Sequence, residues 1–262
     1  MMRYVTAFFM AWGNFLTLPC PYKRWDGKLK NLMMVFVPLV GAIIGLLWMA
    51  VIWVLRLLDM KYGIPDSIAA LVSTFYIFAV CGFIHLDGFM DCNDAILSRR
   101  PLEDRQRILK DPTVGAFAVV MLGFLLMAWY AAMIVIWDKA PLRAFFILPV
   151  LSRLIAGNDI LDYKPIGHSQ YAENYDAKKE RQQCKMYLAV YFVLIALVLT
   201  LGSALRVVLP MISAIFAGAL MGGISGAYGR WQLGGMSGDI AGYEICCSEI
   251  FGVLLMAMAV YL

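Results

Sequence analysis

Charge is scarce in this chain. Asp, Glu, Lys and Arg together make up 15% of its 262 residues, against about a quarter in a typical soluble domain. The formal net charge is only +4, which argues against nucleic acid as a partner. Histidine occurs twice, and the six cysteines form no C-x-x-C pair and no zinc-like spacing. Without a secretory context these are read as reduced, structural thiols. Internal repeats and low-complexity linkers are lacking as well. The N-terminus, "MMRYVTAFFMAWGNFLTLPCPYKRW", has no small-residue cleavage site and is expected to stay with the mature protein.

What the chain has in excess is apolar length: 62% of it is hydrophobic, with a mean hydropathy of +0.76. Apolar runs near 32–58, 66–86, 114–137, 141–158, 186–208, 209–229 and 240–262 approach or exceed the roughly 20 residues that cross a bilayer. A shorter run, 4–18, either spans or dips in and returns. The expectation is an all-α, polytopic transmembrane bundle of about seven to eight spans, forming a single domain over residues 1–262. Gly, Ala and Ser crowd "AIFAGALMGGISGAYG" (214–229), a composition that suits close helix packing in lipid.

Four polar connections remain, 19–31, 87–113, 159–185 and 230–239, and seven long spans place all four on one side. They hold fifteen of the 22 basic residues, against five on the opposite side. The positive-inside rule therefore predicts that these connections face the cytoplasm from the cell membrane.

Negative charge is concentrated in "HLDGFMDCND" (85–94). On a helix, offsets of four and seven put Asp87, Asp91 and Asp94 on one face. Three like charges so close repel each other unless a cation sits among them. Oxygen-only ligands at a membrane surface suit Mg²⁺, or Mn²⁺, better than zinc. Gly88 is expected to let a bulky ligand approach the backbone. Beside the acids stand two catalytic candidates. His85 would serve as a general base or cap a helix end. Asp111 would be a further ligand, a base or a helix-start residue.

Downstream, "RRPLEDRQRILKDPTVGAF" (99–117) supplies Arg105, Arg107 and Lys110 as phosphate-binding candidates. Arg153, inside an apolar run, must find an acid or a ligand phosphate. The stretch "LGGMSGDIAGYEICCSE" (233–249) contributes Asp239, Glu244 and Glu249 after a glycine-rich turn whose N–H groups could meet an anion. Asp239 and Glu249 join the substrate-binding candidates. Acids for a divalent ion beside bases for phosphate are the parts phosphoryl transfer needs.

At these residues the chain resembles the adenosylcobinamide-GDP ribazoletransferases, or cobalamin synthases. The resemblance runs through "FLTLPCP" (15–21), "FVPLVGAIIGLL" (36–47), "HLDGFMDCNDAIL" (85–97), "ILKDPTVGAF" (108–117), "SR" (152–153) and "LGGMSGD" (233–239). The family's D-G-x-x-D-x-x-D run falls on Asp87, Gly88, Asp91 and Asp94, and its K-D…G-x-F on Lys110, Asp111, Gly115 and Phe117. Position 246, where the family pattern places an acid, is Cys, and Ala95 stands where many members have Gly. The resemblance implies Mg²⁺-dependent joining of adenosylcobinamide-GDP to α-ribazole or its 5′-phosphate, with the ribazole 5′-oxygen attacking and GMP leaving. Two other readings fit parts of the pattern. A CDP-alcohol phosphatidyltransferase-like enzyme would need Ala-Arg where Asp91-Cys92 stand. A divalent-cation or corrinoid transporter would place its polar groups near the membrane midplane. Neither reading fixes an oligomeric state.

Overall fold

The computed structural model describes residues 2–167, 169–200 and 205–261; His168, to which the sequence assigns nothing, lies outside them. Among the described residues there are ten α-helices and no strand, apart from an isolated bridge between Pro165 and Met236. In chain order the helices are α1 (Met2–Phe15), α2 (Lys30–Tyr62), α3 (Asp66–Ala79), α4 (Ile84–Leu97) and α5 (Leu102–Ile108). They continue as α6 (Ala116–Ile136), α7 (Leu142–Asp162), α8 (Lys178–Thr200), α9 (Leu205–Leu233) and α10 (Gly238–Ala259).

Five of these are long and apolar enough to cross a membrane: α2 with its preceding turn, α6, α7, Val208–Leu233 of α9, and α10. A sixth arises if α3 and α4 count together as one broken span. The described residues thus give five to six candidates where the sequence led us to expect seven or eight. Two differences account for this. At about 1.5 Å per residue, the 14 residues of α1 reach about 21 Å, short of a hydrocarbon core about 30 Å thick. The run 186–208 extends into residues outside the described set.

A third difference matters most for function. The run 66–86, read as one span, breaks at residues 80–83 and turns by 83° into α4. Gly82 and Phe83 both sit in the left-handed region, with φ of 62° and 61°. That conformation is costly for Phe. The break is braced by the "FLTLPCP" segment: the Thr17 amide and hydroxyl both donate to the Val80 carbonyl, at 2.9 and 3.1 Å. The acidic stripe therefore lies on a short helix of its own, angled across the end of α3.

Helices approach each other through small residues. Added Cβ atoms at Gly45 and Gly157 would meet α7 and α2 backbone respectively, at 2.6 Å from the Phe146 carbonyl and 3.2 Å from the Met34 carbonyl. In α9, Gly218, Gly222, Gly226 and Gly229 recur at helical spacing and face side chains and backbone of α10 and α7. This is the close packing expected of the 214–229 stretch. Deeper in, Trp48, Phe78, Trp129 and Phe145 form an aromatic cluster with centroids 5.0–6.3 Å apart, Trp48 stacked on Trp129 and the other two pairs edge-on, and the Trp48 indole donates to the Ser73 hydroxyl at 2.7 Å. Aromatic pairs of this geometry add about 1 kcal/mol beyond their buried area.

Candidate active site

α4 and α10 cross backbone to backbone. A Cβ at Gly88 would lie 2.7 Å from the Asp239 carbonyl oxygen, and one at Gly242 would lie 3.2 Å from the His85 carbonyl oxygen. What approaches Gly88 is therefore α10, in the place expected for a ligand. This crossing joins the two acidic stretches, more than 140 residues apart in sequence, into one site. Charge repulsion at Asp91 comes from Asp87, Asp239 and Asp94 together.

A cavity of about 220 Å³ opens beside the crossing. His85, Asp87 and Asp239 line it, with Gln170 and Tyr171 from the 163–177 connection. Apolar walls come from Phe15, Met34, Ile160 and Ile245, among others. Asp87 is exposed, while Asp91 and Asp239 are half-buried. His85 is buried, its ring stacks on Phe15 at 6.1 Å, and its Nε2 has no hydrogen-bond partner. Cys246, the departure from the family pattern, donates its thiol to the His85 carbonyl at 3.3 Å. In the connection, burial and the nearby Asp239 charge push the Tyr171 phenol well above its ordinary range, so its hydroxyl stays protonated.

Asp94 is used differently. Its carboxylate accepts from the Gly115 amide at 2.6 Å and the Ala118 amide at 2.9 Å, capping the first turn of α6 from another helix. Gly115 is required there, because a Cβ would sit 2.6–2.8 Å from both carboxylate oxygens. Asp94 also lines a second, shallower recess of about 290 Å³ with Arg100, Asp111 and Thr113. Asp111 is thus kept apart from His85. Its Oδ1 accepts from the Thr113 amide and hydroxyl at 2.9 and 2.6 Å, which holds its carboxyl below the usual range. A carboxylate stabilised in this way is a weak proton acceptor, and its local role is to shape the turn before α6.

The remaining candidates stand away from this cavity. Arg153 pairs with Glu249 inside the bundle, where the two residues are 1% and 3% exposed, and Ser152 donates its hydroxyl to the same Glu249 oxygen at 2.8 Å. Arg153 therefore pairs with an acid, one of the two partners the sequence allowed, and neither residue lines either recess. Arg105 donates to Gln232 at the end of α9, and Arg107 pairs with Asp104 one turn earlier at 2.6 Å. Lys110 is exposed. The glycine-rich turn is likewise committed: the amides of Gly234 and Gly235 donate to the Arg230 carbonyl, and that of Met236 to the Lys164 carbonyl. Ser237 caps α10 through the Ile240 amide at 3.3 Å.

Sequence reasoning missed several residues. Phe15, Met34 and Tyr171 carried no chemical signal before the fold placed them on the cavity wall. Asp159 and Arg230 form a second internal ion pair, with the Tyr163 ring 3.6 Å from the Arg230 guanidinium carbon and Glu244 fully buried alongside. No sequence signal paired them, since each stands at the first position of a polar connection.

Among the described residues, no three acidic, histidine or cysteine side chains stand close enough to bracket a metal ion. The acids that converge are Asp87, Asp91 and Asp239.

No solved structure matches this chain. Its sequence is 34% identical over 252 residues to an adenosylcobinamide-GDP ribazoletransferase of Clostridium perfringens, covering 95% of this chain and 96% of the relative. A protein of the same name from Clostridium botulinum is 31% identical over 246 residues, covering 93% and 94%. One from Shewanella frigidimarina is 29% identical over 262 residues, covering 94% of each. The family described as cobalamin-5-phosphate synthase matches residues 7–257. With that match running almost from end to end, the chain belongs to the cobalamin-5-phosphate synthase family.

Proposed function

We propose that this protein joins a GDP-activated adenosylcobinamide to α-ribazole or its 5′-phosphate, releasing GMP, with Mg²⁺ held at the α4–α10 crossing. The observation that carries the reading is the convergence of Asp87, Asp91 and Asp239 beside one cavity. Full-length similarity to proteins named adenosylcobinamide-GDP ribazoletransferase supports the substrates.

The donor set fits Mg²⁺. Its ligands are hard carboxylate oxygens, and Mg²⁺ commonly takes one or two protein carboxylates and completes its shell with waters and substrate phosphates. A closed cage of three side chains is therefore not needed. One or two of Asp87, Asp91 and Asp239 would hold the ion; Mn²⁺ suits the same oxygens. When bound, the ion neutralises the diphosphate and the charge that develops on the leaving phosphate.

The chain's own residues do the rest. A ribose hydroxyl attacks the phosphorus on the cobinamide arm, one P–O bond forms, and the P–O bond to GMP breaks with its electrons. The description cobalamin-5-phosphate synthase implies that the 5′ position of the product stays phosphorylated. The acceptor is therefore another ribose hydroxyl, which replaces the 5′-oxygen expected from the sequence. Its proton has Asp87 and Asp239 at hand in the same cavity. Arg99, Arg100 and Lys110, exposed between α4 and α6, are placed to meet phosphates. We assign this end of the bundle to the cytoplasmic face of the cell membrane, because the basic residues concentrate in its connections.

The test is direct. Purified protein, given GDP-activated adenosylcobinamide, α-ribazole and Mg²⁺, should release GMP in proportion to product, and a chelator should stop it. Movement of a corrinoid or a divalent ion across sealed vesicles without GMP would replace this reading with transport, and turnover of a CDP-alcohol would replace it with lipid synthesis.

A further inference from the structure

The proposed reaction brings together three bulky pieces: a corrinoid, a guanine nucleotide and a nucleoside with a fused benzene–imidazole base. The enclosed cavity has room for one of them. At about 220 Å³ it holds the equivalent of about seven waters, enough for a two-ring heterocycle and far too small for a corrin macrocycle.

Polarity decides between the two remaining bases. Met34, Val37, Ile160 and Ile245 line the cavity, and its charged groups are the two carboxylates from the helix crossing. Guanine carries polar groups on both of its rings, and although Asp87, Asp239, Gln170 and Tyr171 could meet some of them, the Met34, Val37, Ile160 and Ile245 walls would leave the others without hydrogen bonds at a cost. A benzimidazole has no exocyclic polar group. Its single unsubstituted ring nitrogen is an acceptor, and the cavity wall contains an unused buried donor or acceptor, Nε2 of His85, which is 7% exposed as a residue and has no protein partner.

Resting on the functional reading above, we propose that this cavity seats the benzimidazole base of the nucleoside acceptor. His85 Nε2–H donates to the base's free ring nitrogen, and Met34 and Ile160 limit the size of base accepted. The ribose then extends toward Asp87 and Asp239, which brings its hydroxyl to the acids that handle the diphosphate. The larger corrinoid and the guanine nucleotide stay outside, toward the open recess at Arg100 and Asp94. Stacking also favours this seat, since the Phe15 and His85 rings lie nearly parallel, 22° apart, and present a flat surface at its edge.

The test measures GMP release with α-ribosides of benzimidazole, dimethylbenzimidazole and three-ring naphthimidazole, at saturating GDP-activated corrinoid. Wild type should favour the two-ring bases. Ile160→Ala should raise relative kcat/KM for the three-ring base by about tenfold, the scale of a small change in an apolar pocket, while KM for the corrinoid substrate stays as in wild type. Should that variant fail to fold, Ile160→Val should shift preference in the same direction by a smaller factor.

A second arm uses the α-riboside of indole, which lacks the ring nitrogen. Wild type should show a raised KM for it, and His85→Phe should bring KM for the benzimidazole riboside to a similar value while leaving KM for the indole riboside unchanged. An active Ile160 variant with wild-type base ranking, or a His85→Phe enzyme with normal KM for both ribosides, would overturn the assignment while leaving the functional reading intact. Absence of GMP from wild type with every riboside would sink both.

Discussion

α10 carries three acids across eleven residues, and they meet different fates. Asp239, in its first turn, lies half-buried at a cavity near Asp87 and Asp91, where α4 adds like charges. Ten residues on, about 15 Å along the axis, Glu249 is buried against Arg153. Between them Glu244 packs beside the Asp159–Arg230 pair. Residue type does not separate these roles; depth and neighbours do. An acid buried against an arginine is internal structure, whereas acids gathered beside one another at an opening can be held ready for a cation from solution.

Substitutions that isolate one side of this contrast should give distinct signatures. The largest effect belongs to the open acids. Asp91→Asn should cut GMP release by at least a hundred- to a thousandfold, the range seen when one preorganised electrostatic group is lost, with helical content and thermal unfolding close to wild type. Near-normal turnover from that variant would end the idea that the open cluster works on phosphate.

Next comes the buried pair. Arg153→Ala strands Glu249 in the interior and should cost about 3–5 kcal/mol of stability, read as a drop in Tm in detergent, with KM unchanged for the protein that remains folded. Replacing both partners, Arg153→Met with Glu249→Leu, should recover most of the loss. A raised KM in the folded single variant would return Arg153 to the substrate.

Gly115→Ala tests a residue that straddles the contrast. The new methyl displaces the Asp94 carboxylate from the α6 amides, and the lost cap should cost about 1–2 kcal/mol. Differential scanning of the variant, together with its GMP release, separates a capping role for Asp94 from a catalytic one, since a pure cap moves Tm more than turnover. The smallest effect is expected at Arg107→Ala. Its exposed pair with Asp104 should be worth under about 1 kcal/mol, so both Tm and activity should hardly change.

The sequence made the all-helical membrane architecture plain, because apolar runs of spanning length can do little else in lipid. It also put Asp87, Asp91 and Asp239 forward through charge placed against hydrophobic surroundings. The turn at residues 80–83 was hidden because it is apolar throughout; Gly82 was its single local mark, and the Thr17 brace that fixes it lies more than 60 residues away. The fates of Arg153 and Glu249 were hidden for a related reason. A lone charge in a run announces that it needs a partner, but which partner depends on how α7 and α10 are rotated against each other, and that is set by glycine contacts no linear pattern displays. Asp94 looked like its two neighbours in register, yet the amides that claim it belong to a helix starting 22 residues later.

The seam where Gly88 meets Asp239 and Gly242 meets His85 leaves no compressible layer between two helices. α4 and α10 must then travel as a single slab, and a substrate cannot enter by prising them apart. Another wall of the chamber is the connection bearing Gln170 and Tyr171, held by Lys30 donating to the Gln170 carbonyl and Asn31 donating to the Asn174 carbonyl. A substrate reaching the chamber must therefore pass its other walls, and any change of shape at the crossing has to be shared by both helices.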